Sequence, residues 1–192
     1  MTKKTYKNAI ETKKKISTSY LELLSCGNTQ PNVTDLVDKA KINRGTFYLH
    51  FKNINEVSDF VNITLSENFK GLEKEFRSVD IDNLPAVIIA KVNEILSQDL
   101  DYYKLLINAS DNCNIMDKIK YYIIASIYNN FKLMKYITNL DRFKTAIHYI
   151  VSGILAIYIQ WFKGDIEGDL STLCEHMTCL ISSGLKGYIK TL

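Results

Sequence analysis

Residues that interrupt α-helices are rare throughout this chain, whose 192 residues include only two prolines and eight glycines. These two residue types are the least favourable in a helix interior, so their scarcity favours long helical runs. A hydrophobic fraction of 46% is enough to fill packed cores in a chain of this length. The sequence therefore predicts an all-α fold of about nine helices.

The most apolar stretch, residues 147–162, is interrupted by His148, Ser152, Gly153 and Gln160. Polar and small residues at these intervals are typical of a buried helix rather than of a membrane span. The first residues of the chain are polar and do not resemble a signal peptide. We therefore expect a cytoplasmic protein with no membrane partner.

The cysteines, at positions 26, 113, 174 and 179, form no CxxC pair and no Cys/His set at zinc-site spacing. We expect ordinary buried thiols and no metal. A redox pair of Cys174 and Cys179 is the alternative, although their separation places them about 140° apart around a helix. The sequence contains no acid pair, Ser/His/Asp arrangement or Gly-rich phosphate loop that would indicate catalysis, so we expect neither an enzyme nor a cofactor.

Positive charge is concentrated near the N-terminus. Residues 1–60 contain ten Lys and Arg against six Asp and Glu, a net charge of +4, whereas residues 61–192 carry −1. Six lysines precede residue 16, which predicts a basic arm leading into a first helix from about Ala9 to Leu24. A polyanion is a suitable partner for this region, and a solvated tail is the alternative interpretation of the arm.

Two short helices are predicted next. Asn32 is a good cap for a helix in which Val33, Leu36, Val37 and Ala40 form one apolar stripe. After a connector at residues 41–43, Asn43 can cap a helix over 44–50. Two short helices joined by about three residues make a helix-turn-helix.

The remaining chain is predicted to form a larger helical domain. A fourth helix is expected to begin near 53–55 and to continue through Phe76, followed by a junction at 78–84. Further helices are expected at 85–97, 99–109, 113–138, 141–163 and 169–189. We place an N-terminal helix-turn-helix domain at 1–55 and a larger helical domain at 56–192.

The segment from Val33 to Phe51 resembles the DNA-binding signature of the TetR/AcrR family of transcription regulators. The run Arg44-Gly45-Thr46-Phe47-Tyr48 and Phe51 carry the match, and the resemblance extends over about Lys14 to Val61. Two positions depart from the family pattern. Lys41 replaces the usual turn glycine, and Ile54 replaces a lysine that touches phosphate, for which Lys52 is the possible substitute.

The resemblance implies that the helix over 44–50 enters the major groove of operator DNA. Arg44 can read guanine or grip a phosphate, Gly45 permits close approach of the backbone, and Thr46 and Tyr48 can reach phosphates. For Phe47, contact with a thymine methyl in the groove is favoured slightly over packing in the core. The predicted DNA-binding residues are Thr34, Asn43, Arg44, Gly45, Thr46, Phe47, Tyr48 and Lys52.

Family members pair through their last two helices, and the helix at 141–163 is apolar nearly all round, which suggests a partner surface. The predicted dimer residues are Val151, Ile154, Leu155, Tyr158, Met177, Leu180, Ile181 and Gly184. A small-molecule effector could be held by an aromatic pocket, for which the candidates are Tyr103, Tyr122, His148 and Trp161. His148 is more readily a core histidine with a satisfied hydrogen bond than a ligand-binding group.

The sequence thus predicts a sequence-specific regulator, a ligand-responsive repressor that binds double-stranded, palindromic operator DNA as a homodimer. The alternative is a coregulator or activator of the same fold that is controlled by a protein partner instead of a small molecule.

Overall fold

The structure is a computed structural model that describes residues 3–76, 79–80, 82–109, 115–129 and 137–189, with side chains from residue 8 to 183 apart from that of Ile115. The described residues contain helices and no strand, which confirms the predicted all-α fold. The helices are α1 (Lys3–Ser25), α2 (Val33–Ala40), α3 (Arg44–His50), α4 (Ile54–Phe69), α5 (Leu72–Phe76), α6 (Leu84–Ser97), α7 (Leu100–Asn108), α8 (Ile115–Tyr128), α9 (Leu140–Lys163) and α10 (Leu170–Ile189).

The chain divides into two compact units. The first consists of Met1–Glu67 and Asp101–Ile115, so it extends beyond the predicted boundary at residue 55 and includes most of α7. Within it, α1 packs against α2 and α3, and α2 packs against α3. Ser25 Oγ donates a hydrogen bond to the carbonyl oxygen of Leu105, 3.2 Å away, which ties the end of α1 to α7. Its core includes Ile16, Leu21, Leu36, Phe47, Val57, Leu65 and Leu106.

The second unit consists of Asn68–Leu100 and Met116–Leu192. Helix α6 lies at its centre and packs against α5, α9 and α10. The buried apolar side chains of α6 lie within an arc of about 140° around the helix, which is one broad face. Lys91 of α6 contacts the carboxylates of Glu75 at 3.2 Å and Glu94 at 2.9 Å, and these contacts raise the pKa of Lys91.

Three helix boundaries differ from the prediction. Helix α1 begins at Lys3, so the residues expected to form a basic arm are helical instead. The predicted single helix through Phe76 is divided into α4 and α5 at Gly71, whose φ of +102° is incompatible with a continuing helix. Helix α8 ends at Tyr128, and residues 130–136 of the predicted helix at 113–138 lie outside the described residues.

Helix α9 is long and apolar enough to span a membrane by length and composition alone. Nine of its side chains are buried within the protein. It ends at Gly164, the predicted stop, which adopts the left-handed conformation.

The cysteines are less buried than predicted. Cys26 and Cys179 are exposed and Cys174 is half-buried, while Cys113 lies outside the described residues. The prediction of ordinary buried thiols is therefore wrong for Cys26, which follows the end of α1, and for Cys179, which lies on the solvent-facing side of α10.

Candidate nucleic-acid interface

Helix α2 begins with a reciprocal pair of hydrogen bonds. Asn32 Oδ1 accepts the backbone N–H groups of Thr34 at 2.8 Å and Asp35 at 3.0 Å. The carboxylate of Asp35 accepts the backbone N–H of Asn32 at 3.1 Å and the side-chain amide of Asn28 at 3.2 Å. This capping box fixes the first turn of α2 and leaves Thr34 exposed on its surface.

The turn after α2 depends on a left-handed residue that is not glycine. Lys41 has φ 50° and ψ 53°, and its N–H donates to the carbonyl oxygen of Asp38 at 3.2 Å. The N–H of Ile42 donates to Val37 at 3.0 Å, which completes the helix end. The turn therefore keeps the geometry that glycine ordinarily provides, at a backbone cost on the order of 1 kcal/mol.

Helix α3 is capped by Asn43, whose Oδ1 accepts the backbone N–H of Thr46 at 2.6 Å. A Cβ atom added to Gly45 would lie 3.2 Å from the same oxygen. The missing side chain at Gly45 thus leaves room for the cap, a role beyond the close DNA approach predicted for it. Thr46 is half-buried, and its N–H is already occupied by the cap.

Phe47 lies in the core and not in a groove-facing position. Its side chain is 0% exposed, and its ring centroid lies 5.3 Å from that of Tyr48 and 6.1 Å from that of Phe51. The prediction that Phe47 contacts DNA is wrong, because the packing of α3 within the first unit covers it completely.

The outer face of α3 carries four exposed residues: Arg44, Gly45, Tyr48 and Leu49. At 3.6 residues per turn they span an arc of about 140°. Tyr48 is 56% exposed and Leu49 is 82% exposed. Leu49 was not among the predicted site residues. Its position one residue beyond Tyr48, on the face opposite Phe47, could have identified it.

Arg44 and Thr34 connect the two short helices. Arg44 Nη2 donates to Thr34 Oγ1 at 2.7 Å, and both residues are exposed. The exposed members of the predicted DNA-binding set are Thr34, Asn43, Arg44, Gly45, Tyr48 and Lys52. The side-chain oxygen of Asn43 is used by the cap.

Lys52 lies two residues before the start of α4. Its backbone N–H donates to Glu56 at 2.7 Å, while Asn53 Oδ1 accepts the N–H of Glu56 at 3.0 Å. The Lys52 ammonium lies 3.7 Å from Glu56 Oε1, yet the side chain is 88% exposed. Lys52 therefore presents an exposed positive charge, whereas Ile54 is half-buried and uncharged.

Lys13 lies over two aromatic rings of the same unit. Its ammonium is 5.5 Å from the ring centroids of both Phe51 and Phe60, which pack edge to face at 5.7 Å. This cation–π arrangement joins α1 to the residue that ends α3 and to α4. The side chains of Lys3, Lys4 and Lys7, the basic arm of the prediction, lie outside the described residues.

Most residues predicted for the dimer interface are covered within their own chain. Val151, Ile154, Leu155, Tyr158 and Met177 are buried in the second unit. The apolar pattern that suggested a partner surface is therefore explained by the chain's own core. Leu180 is 67% exposed and Ile181 is half-buried, while the surroundings of Gly184 lie outside the described side chains.

Tyr158 shows how strongly this region is buried. Its hydroxyl lies 3.4 Å from Cys174 Sγ, and burial raises the pKa of Tyr158 far above its usual range. The Tyr158 hydroxyl therefore lies between α9 and α10 and not on their outer surfaces.

The predicted pocket residues are not brought together in one unit. Tyr103 is buried in the first unit, whereas Tyr122, His148 and Trp161 belong to the second. His148 is exposed, so it is not the core histidine that the sequence suggested. Trp161 is half-buried and donates through Nε1 to the carbonyl oxygen of Gly168 at 2.8 Å.

Two other polar atoms of the second unit stand out. Asn93 Oδ1 and the Tyr128 hydroxyl are buried without a hydrogen-bond partner. Burial raises the pKa of Tyr128, whose ring lies 6.2 Å from that of Phe143. An unsatisfied buried polar group costs about 1–3 kcal/mol. Sequence reasoning did not single out Asn93.

Among the described residues, no group of three or more His, Cys, Asp or Glu side chains is arranged to hold a metal ion. Comparisons with protein-family models, with curated proteins and with solved structures find no match to this chain.

Proposed function

We propose that this chain is a sequence-specific, DNA-binding transcription regulator of the TetR/AcrR type, which acts in the cytoplasm as a homodimer on palindromic operator DNA. The observation that carries the proposal is the outer face of α3, where Arg44, Gly45, Tyr48 and Leu49 are exposed together. The helix carries no acidic residue that would repel a polyanion.

The local geometry supports insertion of α3 into a major groove. The groove admits one α-helix, and a helix-turn-helix places its second helix there while the first crosses the backbone. Caps at Asn32 and Asn43 fix the two helix starts, and the Arg44–Thr34 hydrogen bond links them. The exposed ammonium of Lys52 is available to a phosphate at the edge of the groove.

A homodimer is part of the proposal because one recognition helix covers only a half-site. The dimer surface is revised to the outer faces of α9 and α10. On α9, Tyr149, Gly153 and Ala156 are exposed at intervals of four and three residues, with the small residues permitting close helix approach. On α10, Leu180 is a large apolar residue that is exposed.

A small-molecule effector that relieves repression completes the proposal. Its support is the pair of buried, unpartnered polar atoms, Asn93 Oδ1 and the Tyr128 hydroxyl, in the second unit. An effector with a hydrogen-bonding group would satisfy such atoms, and its binding energy would favour the conformation that accommodates it.

The test is selection of duplexes from a random library by the purified full chain, followed by binding measurements on the enriched sequence. We expect a twofold-symmetric sequence and an affinity that falls as salt increases. Arg44→Ala is expected to weaken binding, whereas Ile63→Ala, at an exposed position on α4, serves as a matched surface control. Failure of the wild-type chain to enrich any sequence would overturn the proposal.

A further inference from the structure

Leu49 is the most exposed of the large hydrophobic residues in the described part of the chain, at 82%. The core of the first unit is complete without it, since Phe47 and Phe51 of the same segment are already buried. Leu49 therefore contributes little to folding as the chain stands. An apolar side chain held on the surface of a capped helix is available for contact with another molecule.

The surroundings of Leu49 indicate what that molecule is. Arg44 and Tyr48 share its face of α3, the helix carries no acid, and residues 1–60 have a net charge of +4. This charge favours a polyanion over an apolar protein surface. Within a major groove, the apolar group that the base pairs present is the C5-methyl of thymine.

We propose that Leu49 is a specificity-determining residue that contacts the methyl group of one thymine in each operator half-site. This inference rests on the proposed DNA-binding function. It transfers to Leu49 the thymine contact that the sequence assigned to the buried Phe47.

The distance between Arg44 and Leu49 along α3 predicts where the thymine lies relative to the guanine. Arg44 and Leu49 are five residues apart, which corresponds to about 7.5 Å along the helix axis. Successive bases of one strand are about 3.4 Å apart, so this separation corresponds to about two base pairs. The thymine read by Leu49 is expected within two or three base pairs of a guanine read by Arg44.

The experiment removes the methyl group alone. In the duplex selected by the wild-type chain, each thymine is replaced in turn by uracil in both half-sites, and affinity is measured for wild type, Leu49→Ala and Ile63→Ala. For wild type and for the Ile63→Ala control, we expect one symmetry-related thymine pair at which loss of the methyls weakens binding about fourfold per half-site. The same replacement should leave the affinity of Leu49→Ala unchanged.

A second variant tests the assignment independently of affinity. Leu49→Gln replaces the apolar group with an amide that can pair with adenine, so a repeated library selection should lose the thymine preference at that position. Circular dichroism of each variant checks that the fold is intact, as expected for substitutions at an exposed position.

The outcomes separate the two proposals. Absence of any sequence-specific binding by the wild-type chain would overturn the proposed function and the inference with it. Sequence-specific binding in which uracil replacement affects wild type and Leu49→Ala equally at every position would overturn the inference alone. Unchanged operator affinity and base preference in Leu49→Ala would likewise overturn it, and would assign Leu49 to a protein partner.

Discussion

Arg44 Nη2 donates a hydrogen bond of 2.7 Å to Thr34 Oγ1, so the first residue of α3 is tied to the second residue of α2. The guanidinium has five N–H donors, and this contact uses one of them. The remaining donors are free to pair with guanine or phosphate from a restrained position. Restraint of this kind lowers the entropy lost on binding.

We predict that Thr34→Val reduces discrimination at the base read by Arg44 while the free energy of unfolding changes by less than about 0.5 kcal/mol. Arg44→Ala should reduce discrimination at a guanine by about 1–3 kcal/mol. The double variant should discriminate between bases as well as Arg44→Ala alone does, because Thr34 acts through Arg44. Affinities for operator variants measure these effects, and Thr34→Ser, which keeps the hydroxyl, is the control. A further loss from Thr34→Val in the Arg44→Ala background would show that Thr34 contacts DNA itself.

The left-handed turn predicts a stabilising substitution. Lys41→Gly should raise the free energy of unfolding by about 0.5–1 kcal/mol. Glycine adopts φ 50° without steric cost, and this gain exceeds the extra backbone entropy that glycine loses on folding. Urea denaturation measures the change. Lys41→Ala removes the same charge and keeps the strained backbone, so it should show no comparable gain. Equal stabilisation by both variants would assign the effect to charge instead.

The burial pattern of α9 and α10 predicts that two apolar residues respond differently. Leu180→Glu should yield folded monomers that lose operator affinity, because Leu180 lies on the surface. Ile154→Ala should lower the free energy of unfolding by about 2–5 kcal/mol, because Ile154 is buried. Sedimentation and thermal melting distinguish the two effects. Tyr121→Glu, at an exposed position on α8, is the matched control, and a Leu180→Glu chain that remained dimeric would contradict the revised surface.

A pH effect is expected at the start of α10. Asp169 accepts the backbone N–H of Thr172 at 2.9 Å and its hydroxyl at 3.1 Å, and these bonds lower the pKa of Asp169 below its usual 3.8. Because the pKa of Asp169 is lower in the folded state than in the unfolded state, its ionised form stabilises the fold at pH values above the unfolded-state pKa. This stabilisation is lost as the pH falls through the folded-state pKa. The melting temperature of Asp169→Asn should therefore fall less than that of wild type on acidification below about pH 4. Parallel melting curves across this range would exclude the effect.

The locally determined features could be predicted from sequence. Asn32 and Asn43 were recognised as caps because capping involves residues only two or three positions away. The position of Lys41 in the turn also followed from local spacing. Gly71 was not recognised as a break, since an isolated glycine is tolerated in many helices and the conformation it adopts depends on tertiary packing.

The orientation of apolar side chains could not be predicted with the same success. Phe47 and Leu49 lie two positions apart on a helix of seven residues, and their sequence spacing does not show which one faces the core. Helix α9 is apolar on most sides, so burial of Ile154 and exposure of Tyr149 become evident only once α6 is in place. The Arg44–Thr34 hydrogen bond likewise requires the angle between two helices.

The discontinuous composition of the first unit has a consequence for synthesis of the protein. Because this unit combines residues 1–67 with 101–115, α1 to α4 emerge from the ribosome before α7, to which the end of α1 is hydrogen-bonded, has been synthesised. A nascent chain that ends near residue 67 lacks Leu106 and Ile107 of the core and the acceptor for Ser25. The core of the first unit is therefore complete only after α7 has been synthesised, and a chain cut at residue 67 should be less stable than the whole unit.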